Sequence, residues 1–165
     1  KWPRGGEEDS RGDGERMMGV RLPNEFRESL RRHDGSGGYF ITPYKIGGGE
    51  QRFLALQEIL DFWQVMADVG TEMDRQGEFG TQTGPMKRHW WNRRWIPLTD
   101  NGCGDCIFVD LDPADGGTVG QVVDWWHEGG ESTVLAPSLK AWLNDVVEDV
   151  RNGVYQFRND WPKTE

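Results

Sequence analysis

Arg94-Trp95-Ile96-Pro97-Leu98-Thr99, Asp105-Cys106-Ile107-Phe108-Val109-Asp110-Leu111, Val119-Gly120-Gln121-Val122-Val123-Asp124-Trp125-Trp126 and Ser132-Thr133-Val134-Leu135 are the stretches whose reading decides the fold. Each is a short run of β-branched and aromatic residues, and Gly, Asn, Asp and Pro separate one from the next, the pattern of an antiparallel meander. C-terminal to it, Ala136-Pro137-Ser138 opens a helix whose predicted buried face is Leu139, Trp142, Leu143, Val146, Val147 and Val150, with Asn152-Gly153 as its stop. N-terminal to it, Leu56, Ile59, Leu60, Trp63, Met66 and Ala67 recur at helical spacing and predict a core helix from about Gln57 to Val69.

Further out, Pro23 near a first helical turn, Phe26 and Leu30 on one face, and Arg31 and Arg32 before Asp34-Gly35 mark a short helix. Tyr39 to Tyr44 and Gln51 to Leu54 read as short strands around the Gly47-Gly48-Gly49 turn, and the glycine-rich stretch Gly70 to Met86 reads as a mobile loop. Helices before and after an antiparallel sheet predict an α+β fold with about five or six strands. Residues 1–18, with glycines and a proline among mixed charges, read as a poorly structured segment. Residues 19–157 then form a single domain, and residues 158–165 a C-terminal tail. Lys1 in place of an initiator Met suggests a chain that lacks its start.

A chain of 165 residues fits one domain, and 35% hydrophobic with 12% aromatic content supplies a core that needs no staples. Two cysteines cannot build the disulfide framework of a small secreted domain. Mean hydropathy of −0.76 and polar first residues argue against a membrane span or a signal core, so the expectation is a soluble, cytoplasmic protein with no membrane partner. The net charge of −9 opposes direct binding to a phosphate backbone. That charge is not spread evenly. Residues 1–99 carry 15 basic and 15 acidic groups, whereas residues 100–165 carry 4 and 13, so the excess lies wholly in the meander and last helix.

Motifs that could carry chemistry do not assemble. Cys103-Gly104-Asp105-Cys106 has the spacing of a redox pair or half a zinc site, but it joins two strands instead of opening a helix. His33, His89 and His127 show no paired spacing to complete a zinc set. The run from Asp110 to Gly116 looks like a calcium loop, yet Ala114, Asp115 and Gln121 stand where an EF-hand needs an oxygen ligand, Gly and Glu. His127-Glu128 and His33-Asp34 are adjacent pairs, and catalytic groups converge from separated segments. The expectation is therefore no catalytic site, no metal and no cofactor. Adjacent Trp125 and Trp126 must face opposite sides of a strand, which leaves one of them partly exposed or covered by another element; packing accounts for most of the tryptophans, and an exposed one beside acids is what an interface hot spot looks like.

These residues together resemble the SUKH superfamily, which includes fungal cell-wall-assembly regulators and many bacterial proteins. The resemblance rests on an ordered set that runs from Gly19 through Leu22-Pro23-Asn24-Glu25-Phe26 and the Leu56 to Trp63 helix. It continues with Trp95-Ile96-Pro97-Leu98, Gly104-Asp105, Asp110-Leu111-Asp112-Pro113, Gly117, Gly120-Gln121-Val122 and Val134 to Leu139 with Trp142-Leu143. It covers about residues 15–157. The resemblance implies an α+β fold, a non-enzymatic role and, by analogy with bacterial members, an immunity protein that neutralises a polymorphic toxin, often a nuclease. The alternative it implies is a regulatory scaffold like the fungal members. An acidic inhibitor can be steered to a basic toxin, and the candidate contact residues are Asp105, Asp110, Asp112, Asp115, Asp124, Trp126, Glu128 and Glu131. The implied partner is a protein. The oligomeric state is left open.

Overall fold

The computed structural model describes residues 8–37, 40–42, 50–128, 131–154 and 156–158. In chain order the elements are α1 (Glu8–Met18), α2 (Asn24–Arg32), β1 (Phe40–Thr42), β2 (Gln51–Phe53), α3 (Leu56–Gln76), β3 (Thr81–Thr83), β4 (Trp95–Pro97), β5 (Thr99–Asp100), β6 (Cys106–Asp110), β7 (Gln121–Trp125), β8 (Glu131–Ala136), α4 (Leu139–Arg151) and β9 (Gln156–Arg158). The fold is α+β. The Gly47-Gly48-Gly49 turn, and all but residue 158 of the expected C-terminal tail, lie outside the described residues.

The meander forms as its sequence dictates: β4, β6, β7 and β8 pair antiparallel in the order β8-β7-β6-β4. Every residue of β6 and β7 is buried, so both faces of these central strands are covered. Directly opposed residues share a face. Trp95, Phe108 and Trp125 line one side, where Trp91 packs edge-on with ring centroids 5.8, 5.6 and 5.1 Å away. Ile96, Ile107, Val109 and Val122 fill the other, all 1% exposed or less.

Residues 95–100 do double work. β4 pairs with β6, while β5, just after Leu98, pairs with β2 in a second sheet of order β5-β2-β1-β9. Leu98 ties the two together, its amide donating to Ile107 O at 2.7 Å and its carbonyl accepting from Leu54 N at 3.0 Å. The sequence marks Arg94 to Thr99 as one strand. It does not reveal that the strand changes sheets.

Three expectations are corrected. Residues 8–18 are helical, not poorly structured. Gly14 allows α1 to lie directly on Leu56 and Leu60 of α3 and Met18 is buried, so tertiary packing offsets the weak helix propensity. The Glu15 carboxylate locks the following turn by accepting from Leu22 N at 2.6 Å and Arg27 Nε at 2.9 Å. Burial opposes ionisation of Glu15, but these hydrogen bonds and the Arg27 charge outweigh it and hold its carboxyl below the ordinary value.

Second, Gly70 to Met86 is not a mobile loop. α3 continues to Gln76 and stops at Gly77, whose φ of 80° closes the last turn. Gly70 is a crossing point: a Cβ there would sit 2.6 Å from Trp91 Cβ. Asp34 and Glu58 cap the start of α3 by accepting from the amides of Leu56 and Ala55, both at 2.8 Å. Beyond α3, β3 adds a parallel strand to the edge of β8.

Third, α4 is capped by Ser138 as predicted, with its Oγ accepting from Ala141 N at 3.1 Å, and it buries Leu139, Trp142 and Val146. Val147, expected in the core, is 47% exposed. It lies about 100° around the helix from Val146, too far to share that residue's burial.

Candidate functional site

The eight predicted contact residues do not form one patch. β6 and β7 are each five residues long, roughly 17 Å at a strand rise of about 3.3 Å. The candidates divide between the two ends of the hairpin they make, with two of them buried between.

Asp110 and Asp124 are corrected first. Asp110 is fully buried and Asp124 is 7% exposed, so neither presents a carboxylate to a partner. Asp110 instead organises the loop after β6: its oxygens accept from Asp112 N at 2.8 Å and Gln121 Nε2 at 3.0 Å. Burial pushes its carboxyl above the ordinary aspartate value despite those hydrogen bonds. Asp124 lies beside buried Cys106, whose thiol is pushed up well above its ordinary value by burial and then by the charges of Asp124, Asp100 and Asp105. Cys103 is exposed, so the two cysteines face different environments.

At the far end of the hairpin, Asp112 accepts from Lys87 Nζ at 2.6 Å and from Asn92 Nδ2 at 3.1 Å. The Lys87 hydrogen bond, supported by Asn92, holds its carboxyl below the ordinary value. Asp112 is thus half committed to an internal ion pair, and Asp115 is exposed beside it on the same loop.

The near end gathers the rest. Trp126 follows β7 and is 36% exposed, the inverse of Trp125 at 1%. This is the alternation expected of neighbours in a strand. Asp105 Oδ1 accepts from the His127 amide at 3.1 Å and lies 2.8 Å from His127 Nδ1, while its Oδ2 accepts from Asn101 Nδ2 at 2.8 Å. Asn101 Oδ1 in turn accepts from Cys103 N and Asp105 N, so residues 101–105 form a loop stitched by its own side chains. Gly104 has φ of 103°, and a Cβ there would meet the His127 ring at 3.2 Å, so glycine is what lets the imidazole lie flat on the loop. The Glu128 side chain is 84% exposed, and Glu131, exposed at the start of β8, accepts from the Thr83 hydroxyl of β3.

The near end therefore offers a partly exposed indole and the exposed carboxylates of Glu128 and Glu131, while Asp105, its side chain 15% exposed, is turned inward onto Asn101 and His127. His127 and the Asn101 loop, which position Asp105, were not expected as parts of it; the signal was Asn101-Gly102 followed by Gly104, a turn sequence just before an acid. Among the described residues no group of three or more His, Cys, Asp or Glu side chains could hold a metal ion. The His89–Asp74 and His127–Asp105 pairs, 2.6 and 2.8 Å apart, have no hydroxyl or thiol hydrogen-bonded to the imidazole among those residues. No helix there is long and apolar enough to cross a membrane.

The model of the SMI1 / KNR4 family (SUKH-1) matches residues 13–145. The chain belongs to the SMI1/KNR4 family. It is 27% identical to the cell wall biosynthesis/cell cycle regulator smi1 of Schizosaccharomyces pombe, in a match covering 84% of this chain and 30% of that protein. It is likewise 27% identical to the KNR4/SMI1 homolog of Yarrowia lipolytica over 78% of this chain and 18% of the relative. A third, KNR4/SMI1 homolog 2 of Debaryomyces hansenii, is 29% identical over 46% of this chain and 13% of its own length. The SMI1/KNR4 chain described here thus spans less than a third of the curated relatives it matches. The family match begins at residue 13, within α1, which agrees with that helix being part of the fold.

Proposed function

We propose that this SMI1/KNR4-family chain is a non-enzymatic protein-binding domain that docks a basic protein partner on the near end of the β6–β7 hairpin. The observation that carries this reading is Trp126, a large aromatic left 36% exposed at the rim of a sheet whose other tryptophans are packed, at the same end of the hairpin as the exposed Glu128 and Glu131. Tryptophan is among the side chains most enriched at binding hot spots. Asp110 and Asp124 drop out of the proposed contact set, and Asp112 and Asp115 at the far end become peripheral.

The setting best supported by the relatives is regulatory scaffolding, since the Schizosaccharomyces relative bears the name of a cell-wall and cell-cycle regulator. A second reading, toxin immunity, is favoured by the charge distribution. Thirteen acids against four bases after residue 99 suit a cover for a basic, phosphate-binding protein surface.

The test is affinity capture from cells of the chain's own source, with wild type and Glu128→Lys/Glu131→Lys side by side and circular dichroism as the folding control. A basic protein retained by wild type and lost by the folded variant supports the site. Whether that protein is a signalling or cell-wall enzyme or a nuclease toxin separates the two readings. Undiminished capture by the folded variant overturns the site.

A further inference from the structure

The sequence contains two Asn-Gly pairs, Asn101-Gly102 and Asn152-Gly153. Asparagine is a thermally labile residue. A following glycine exposes that lability, because without a Cβ it leaves its amide nitrogen open to attack the asparagine Cγ. In the folded chain the two glycines are matched. Gly102 has φ of 76° and Gly153 φ of 71°, and a Cβ on either would meet nothing within 4 Å. A difference in reactivity between the pairs therefore has to come from how each asparagine side chain and each glycine amide is held.

Asn101 is held at both ends of its amide. Its Oδ1 accepts from Cys103 N at 2.8 Å and Asp105 N at 3.1 Å, and its Nδ2 donates to Asp105 Oδ2 at 2.8 Å. The Gly102 amide, which would be the nucleophile, donates to Asp100 Oδ1 at 2.8 Å. Asp105 is itself fixed by the His127 amide and lies 2.8 Å from His127 Nδ1. Bringing Gly102 N onto the Asn101 Cγ requires this network to open, including hydrogen bonds to two carboxylates. Asn152 is the opposite case. It is exposed at the end of α4, with φ of −84° and ψ of 2°, and its side chain makes no hydrogen bond among the described residues. The Gly153 amide donates to Val150 O at 3.1 Å and the Val154 amide to Asp149 O at 2.8 Å. These two backbone bonds close an exposed last helical turn, and such turns fray.

We propose that Asn152 is a site of spontaneous covalent modification, deamidation through a cyclic imide formed with Gly153, and that the fold protects Asn101 from the same reaction. When the last turn of α4 frays, hydroxide removes the Gly153 amide proton, and the electron pair left on nitrogen forms a bond to Asn152 Cγ. The Cγ–Nδ2 bond then breaks, and the nitrogen takes a proton from water and leaves as ammonia. Water opens the imide at either carbonyl, giving aspartate or, with the main chain rerouted through the side chain, isoaspartate. Nothing is oxidised or reduced. Either product puts a carboxylate at the C-terminal end of α4, where the helix dipole disfavours negative charge, in a turn that already carries Glu148 and Asp149. Isoaspartate also adds a methylene to the backbone of residues 152–155, which join α4 to β9.

The test is incubation of the whole folded chain in neutral and in mildly alkaline buffer, with a parallel sample in urea, and peptide mass spectrometry to follow conversion of each asparagine over time. In urea the two pairs, alike in sequence, should convert at similar rates. In the folded chain Asn152 should convert at least about tenfold faster than Asn101, because a single net hydrogen bond to a carboxylate is worth about that factor. Its rate should rise with hydroxide. Gly153→Ala should slow Asn152 and leave Asn101 as it was, and Asp105→Ala, which removes the acceptor of the Asn101 amide, should speed Asn101 alone. Folded Asn152 that converts no faster than folded Asn101, or that stays intact while it converts in urea, overturns the proposal. Undiminished conversion of Asn152 in Gly153→Ala does so as well, since it would mean direct hydrolysis of the side-chain amide without attack by the glycine nitrogen. A folded Asp105→Ala chain in which Asn101 stays as slow as in wild type would overturn the protection assigned to that network.

Discussion

Asp110 carries a carboxyl into the covered end of β6, where Asp112 N and Gln121 Nε2 hold it and solvent does not reach it. Because burial raises its pKa, the folded state holds the proton more tightly than the unfolded chain does. The stability this group contributes is therefore fully present below its unfolded pKa and is lost as pH rises through the folded value. Asn at this position cannot ionise and lacks that dependence. The difference in urea midpoint between wild type and Asp110→Asn should therefore move against wild type from about pH 4 to about pH 7. Asp112, held down by Lys87, has the opposite sign, but it is present in both proteins and largely cancels. A midpoint difference that is flat across this range would mean that Asp110 is solvated.

At the scale of elements, α3 and the Trp91 segment meet at Gly70. In an exposed helix, Gly→Ala stabilises by up to about 1 kcal/mol. Here the new Cβ would lie 2.6 Å from Trp91 Cβ and 2.9 Å from Trp91 O, atoms fixed to the backbone that cannot rotate away. Gly70→Ala should therefore destabilise by about 1–3 kcal/mol, as overpacking does. A raised denaturant midpoint would show that α3 does not cross Trp91 there. The same crossing marks where the sequence stops being legible. β6, β7 and α4 could be read from runs of Ile, Phe and Val and from the Ser138 cap, because local pattern and burial agree. α1 and the second half of α3 could not, because their glycines lower local propensity while serving as contact points with Leu60 and Trp91. In the candidate site, the residue types around Trp126 were legible. The burial of Asp110 and Asp124 was not, although both sit within apolar runs whose neighbours are all covered.

Across the whole molecule, the strand 95–100 binds both sheets into one body, so the acidic hairpin end is displayed at a fixed position on it. Binding at the hairpin end should respond to salt. Attraction of a basic partner to the hairpin end draws on the whole excess charge of −9, which acts at long range in dilute salt. At physiological ionic strength the screening length falls to about 8 Å, and only charges close to the contact still act. Association of the captured basic partner should therefore slow by about tenfold or more between low and physiological salt. Dissociation is governed by short-range contacts with Trp126 and should change far less. Glu128→Lys/Glu131→Lys should lower the association rate and flatten its salt dependence, while unfolding stays close to wild type, because exposed charges contribute little to stability. Stopped-flow or surface kinetics at several salt concentrations measure all three. Association that is insensitive to salt, and unchanged in the folded charge-reversal variant, would show that the acids of residues 100–165 are a solvated face and that Trp126 docks its partner without them.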